Sequence, residues 1–243
     1  MFRIMQSELL KMRHTFSIKL LFVAPLITVL IGTLLSGRFT QLSSYNWWYT
    51  IILPTIVAMW SANTISCEKK TNMQNVICIP IAFEKIWLGK VFVLATILFG
   101  TNVILWLLTT IAGIMTETTV SPINGLIGCM LLFVSYLWQI PLVMLLANFI
   151  GYLPTIIGSV LANTILFTMG AEKRLFFLNP FAIPSRIVCP FFKIHPNGIP
   201  IEDGSSLLTN TNVMAAMGIS ILIAAVFLVI SSKLFCKEGR SYE

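Results

Sequence analysis

The chain has little charge and almost no histidine. Of its 243 residues only 10% are Asp, Glu, Lys or Arg, and just two, His14 and His195, are histidines. So few charges cannot cover the surface of a water-soluble domain of this length. Reactive clusters are missing as well. In the topology derived below the two histidines fall on opposite sides of a membrane, which excludes a shared metal or proton relay. The five cysteines match no zinc spacing, and only Cys189 faces outward, so no external disulfide can form within the chain. Gly89-Lys90 lacks the glycine five positions earlier and the following Ser or Thr that a phosphate-binding loop needs. The chain thus binds no ATP by that mechanism. Without an intramembrane acidic pair, proton-coupled transport and intramembrane proteolysis lose their chemistry.

What fills the sequence is hydrocarbon: 57% of residues are hydrophobic, and mean hydropathy is +0.89. A helix needs roughly 20 apolar residues to cross a bilayer. Six such stretches are expected, at 16–35, 47–65, 91–115, 126–147, 154–169 and 213–232, the fifth being short for a crossing. The fold class is therefore all-α, a polytopic membrane protein forming a single transmembrane domain over 1–243. No internal repeat and no linker divides it.

Basic residues flanking spans stay in the cytoplasm. With the N-terminus inside, eleven of the sixteen Lys and Arg and five of the nine acidic residues fall on that side, leaving +6 there and +1 outside. The net charge of +7 is thus mainly a topology signal rather than a nucleic-acid-binding face. The first apolar run is too long for a secretory signal and lacks a cleavage site. Before it, Phe2, Met5, Leu9 and Leu10 share a helical face opposite Arg3, Glu8 and Lys11. Two readings stand for this segment, a helix along the inner leaflet or a plain basic anchor.

The most distinctive cytosolic segment is the loop 66–90. It opens on Glu68, Lys69 and Lys70, passes Pro80-Ile81, continues as a helix-like piece through Phe83, Glu84, Lys85 and Ile86, and meets the third span at Lys90. A short helix here would offer Ile81, Phe83 and Ile86 to a groove of another protein and Glu84 and Lys85 to its rim. An amphipathic connector resting on lipid is the other reading. On the outer side, 171–212 repeats proline and phenylalanine. It is too apolar for a solvated loop and too broken for another span, so re-entrant or interfacial helices are expected. Phe181, Phe191 and Phe192 there are either interface anchors or contacts for an amphipathic peptide. Glu117, Glu172, Glu202 and Asp203 are the outward carboxylates that could attract a cationic substrate. Small residues at intervals of four, Gly158 with Ala162 and Ala216 with Ser220 and Ala224, suit close helix packing or contact with a second subunit.

The basic N-terminus, the six spans, and a first loop carrying Glu68, Pro80-Ile81 and Lys90 resemble the type-2 permease subunits of ABC transporters. That resemblance implies a separate cytosolic ATPase, in two copies, docking on loop 66–90, with ATP and Mg held by that partner and no cofactor in this chain. The small size, Trp47-Trp48 at the second span and Leu178-Asn179-Pro180-Phe181 outside resemble more narrowly the permeases of lantibiotic self-immunity exporters of Gram-positive bacteria. Bacitracin-type exporters are similar in plan. This implies a second, related permease and a cationic peptide antibiotic as substrate. Two other classes stay open: a lipid-modifying membrane enzyme, for which a reactive cluster is lacking, and a passive channel or sensory scaffold.

Overall fold

The computed structural model describes residues 1–239 other than 14, 15, 72, 79, 172, 174, 203, 204, 206, 207 and 209–211. Glu172 and Asp203 therefore lie outside the described residues. Eleven α-helices carry the described chain, and no β-strand occurs among these residues beyond one isolated bridge between Ile194 and Pro200. They are α1 (Phe2–Arg13), α2 (Phe16–Ser36), α3 (Thr40–Trp47), α4 (Leu53–Lys70), α5 (Gln74–Ile77), α6 (Phe83–Met115), α7 (Pro122–Tyr136), α8 (Gln139–Ile150), α9 (Tyr152–Gly170), α10 (Ile183–Phe192) and α11 (Val213–Gly239).

Five runs are long and apolar enough to cross a membrane: Ile18–Lys70, Phe83–Met115, Pro122–Ile150, Tyr152–Gly170 and Val213–Lys237. The first is 53 residues long. As one straight helix it would measure about 80 Å, far more than a bilayer core. Instead it folds back at Gly37, which adopts φ +44°, a conformation glycine enters without a side-chain clash. Consequently α2 packs along α3. Between α3 and α4 the helix widens into one π turn, Trp48–Ile52. The π turn changes the backbone hydrogen-bonding register, and the carbonyl of its Tyr49 accepts a hydrogen bond from the Tyr136 hydroxyl at 2.6 Å.

Several expected boundaries shift for physical reasons. The third span was expected from residue 91, yet α6 starts at Phe83, because the charged piece before Lys90 continues the same helix. The fourth is two helices, α7 and α8, separated at Leu137-Trp138, with Pro141 in the first turn of α8, where its missing N–H costs nothing. Gly151, at φ +86°, separates α8 from α9. The fifth, expected to be short, is a full 19-residue helix. In the segment expected on the outer side, α10 is not a surface anchor. Its Ile183, Ile187, Val188 and Phe192 are buried, and it packs chiefly on α7.

Candidate functional site

At the end of the molecule where α4 stops and α6 starts, four charges from three helices meet. Lys90 lies on an otherwise apolar stretch of α6 and its side chain is fully buried. A buried ammonium is costly unless paired, and its three N–H bonds can serve several acceptors. Lys90 Nζ donates to Glu8 Oε2 of α1 at 2.5 Å and to Glu68 Oε1 of α4 at 2.6 Å. Lys11, one third exposed, donates at 2.8 Å to Glu8 Oε1 and again at 2.8 Å to Glu68 Oε1. The quartet is neutral, two ammoniums against two carboxylates. For Lys11, burial pulls the pKa down, but the hydrogen bonds to Glu68 and Glu8 outweigh it and leave the ammonium above its ordinary value. Its charge therefore persists throughout the neutral range. With the folded value raised, its contribution to stability is complete below the ordinary pKa of 10.5 and fades only as pH climbs past it.

Close backbone approach accompanies the charges. A Cβ at Gly89 would stand 2.6 Å from Ile4 Cγ2, so glycine is what lets α1 lie against α6. The side of α1 that carries Ile4 and Glu8 is thus the one laid against α6. Glu8 and Met12 are buried, while Phe2, Leu9 and Leu10 are exposed. Glu8 goes inward because a buried cation requires it. The far end of α11 joins the same unit: Trp87 Nε1 donates to Ser231 Oγ at 2.9 Å, and the Phe235 ring lies 4.7 Å from that of Trp87 and 6.4 Å from that of Phe83.

From this framework the loop between α4 and α6 projects. It is anchored by Met73 and Val76, both buried, and by the Glu68 carbonyl, which accepts from the Met73 N–H at 2.9 Å. Pro80, Ile81, Glu84 and Lys85 are exposed on its rim. Ile86, expected to face outward, is buried, since the helix rotates it toward the interior. Phe83 is half-buried against Phe235. Of the loop residues singled out in the sequence, Glu68 and Lys90 hold the framework, and only four form an accessible edge. Glu8 and Lys11 were missed as members. The available signals were a lone lysine between apolar turns at Ile86 and Leu94, and a glutamate sharing a helix face with Met12.

Among the described residues, the opposite end is built without buried ions. Gln41 of α3 donates to the Thr109 carbonyl at 3.1 Å, and its Oε1 accepts from the N–H groups of Thr119 at 2.8 Å and Val120 at 2.9 Å. One amide thus ties down the α6–α7 connection. The Tyr45 ring stacks on Phe192 at 3.9 Å between centroids, and a side chain at Gly128 would overlap that phenylalanine. Phe192 is therefore core and does not face outward. Phe181 meets Trp138 edge-on at 4.9 Å, and Phe191 is half-buried. Glu117 pairs with Arg38 at 2.5 Å on the surface, and Glu202 is exposed. These outward residues do not converge on one site. Among the small residues, Ala216 and Ser220 are buried and Ala224 is half-buried, whereas Gly158 has nothing within 4 Å of where its Cβ would be. Within the membrane-spanning body, Gln139 and Asn163 bond to one another at 2.8 and 3.3 Å, and Trp48 Nε1 donates to Asn102 Oδ1 at 3.1 Å.

No curated protein and no solved structure matches the chain. Residues 4–171 match the family model described as ABC-2 family transporter protein, and that match runs from α1 through α9. It takes in the whole ion quartet and the loop it supports. With five apolar runs long enough to cross a bilayer, this multi-pass membrane chain belongs to the ABC-2 transporter family, whose members are membrane permeases that work with an ATPase subunit.

Proposed function

We propose that the chain is the permease subunit of an ABC exporter that clears a lantibiotic-like antimicrobial peptide from the cell membrane. In this reading it is a single domain with both termini cytoplasmic. It works with a second, related permease and with an ATPase, in two copies, that holds ATP and Mg. The fold-back at Gly37 supports counting Ile18–Lys70 as two crossings, six in all. The observation that carries the proposal is the buried quartet. It ties the exposed rim Pro80, Ile81, Glu84 and Lys85 to the end of α4 and the start of α6. Close-packed, ion-paired elements move together, so a displacement of the rim is passed to the membrane helices with little loss. The peptide substrate, the second permease and the Gram-positive setting rest on the resemblance of Trp47-Trp48 and Leu178-Asn179-Pro180-Phe181 to the self-immunity permeases.

Affinity purification of the tagged chain in mild detergent, for the wild type and for Ile81→Asp with Glu84→Arg, tests the docking. Both positions are exposed, so the fold should survive. The ATPase is expected on the wild type and missing from the double variant, with the second permease retained by both. Equal ATPase recovery from both would move docking elsewhere. Peptide-stimulated ATP hydrolysis with release of peptide from cells is expected of an exporter. Stimulation without release would assign the complex to sensing.

A further inference from the structure

Two of the apolar runs are interrupted where they touch, and a proline stands behind each interruption. In the π turn the Leu53 N–H is given to the Trp48 carbonyl. The Tyr49 carbonyl then has neither that N–H nor one from Pro54, which carries none. Between α7 and α8, Pro141 has no N–H for the Leu137 carbonyl one turn earlier, which accepts from the Ile140 N–H at 3.3 Å instead. The Leu137 N–H likewise makes a tighter turn, to the Val134 carbonyl at 3.3 Å. The two breaks meet, since Tyr136, the last residue of α7, donates its hydroxyl to the Tyr49 carbonyl at 2.6 Å. By contrast α6, whose Asn102 accepts from Trp48 of that π turn, runs uninterrupted for 33 residues.

The breaks also divide the packing. On one side α3 is held to α2 and α6, and α7 to α10 and α6. On the other, α4 and α8 pack chiefly on each other, and Lys69 near the end of α4 donates to the Asn148 carbonyl near the end of α8. We infer that α4 and α8 turn together as one lever against α3 and α7. The joint is the π turn with Leu137-Trp138, and the Tyr136–Tyr49 bond is its catch. Bending of a long helix concentrates at prolines and at π or tight turns, where the α ladder is already broken. Each break also carries a buried polar group with no hydrogen-bond partner, Tyr49 Oη and Trp138 Nε1, so leaving this arrangement forfeits no bond of theirs. The 18 residues of α4 span about 27 Å, so a turn of about 10° moves its far end by about 5 Å. That end carries Glu68 of the quartet. The rim as driver rests on the permease reading, whereas the joint belongs to this chain alone.

The test is double electron–electron resonance on the full chain in lipid nanodiscs, with spin labels carried by a genetically encoded amino acid so that the native cysteines stay in place. One pair, Phe22 of α2 and Ile150 of α8, reports the lever. A second pair, Leu34 of α2 and Ile123 of α7, reports the helices on the other side of the joint. All four positions are exposed. Tyr136→Phe releases the catch and should shift or broaden the lever distances by about 5 Å, with the second pair unmoved. Pro141→Ala supplies the N–H that the Leu137 carbonyl lacks and should narrow the lever distances below those of the wild type. Identical lever distances in all three proteins would overturn the joint. So would an equal shift of both pairs, which marks a loosened fold. No ATPase enters the measurement, so its failure leaves the permease reading standing, and loss of that reading leaves the joint standing.

Discussion

The two ends of the molecule solve the same packing problem with different chemistry. Where α1, α4 and α6 meet, two carboxylates and two ammoniums are drawn inside and bonded to one another. At the opposite end, the one ion pair among the described residues, Arg38 with Glu117, stays on the surface, and the interior is held by Gln41 and by Tyr45 stacked on Phe192. Buried ions are intolerant of losing a partner, whereas exposed ones are nearly indifferent. The first end is therefore set up to hold three helices in one fixed arrangement. The second is held by shape.

Lys90→Met should break this comparison most severely. It leaves two buried carboxylates facing only Lys11, and a cost of about 3–5 kcal/mol is expected from the loss of one partner in a buried network. Thermal unfolding of the detergent-solubilised protein, followed by its monodisperse fraction, should show the drop. Adding Glu8→Gln and Glu68→Gln should recover part of it. If the triple variant is no better than the single, the loss comes from shape rather than from stranded charge. Next, Phe192→Ala should cost about 3 kcal/mol, the low end for emptying a buried aromatic site. It would do so without dependence on salt, because no charge is involved. Smallest, Arg38→Ala should leave unfolding unchanged, since both partners are open to water. A clear loss there would show that the outer pair is more than surface decoration.

Much of the fold was legible because membrane crossing imposes a coarse and strong pattern. Long apolar runs bounded by polar segments marked α2 and α9 within about two residues, while α4, α6 and α11 start or end five to eight residues from the expected bounds. The site was only half legible. Glu68 and Lys90 stood out as charges at span ends, but their partners lie 82 and 57 positions away in sequence, in Glu8–Lys90 and Lys11–Glu68. Nothing local marks such a pairing. Ile86 and Phe192 were placed outward by composition alone. Helix rotation decided the first and the docking of α10 on α7 decided the second.

By itself the sequence determined the solvent and the helical class, because these depend on residue type and on the length of apolar runs. Only the tertiary structure decided which charges are buried. A lysine at a membrane edge is equally compatible with lipid headgroups, water or a carboxylate. The choice among them was made when Gly89 let α1 come close enough to bring Glu8 to Lys90.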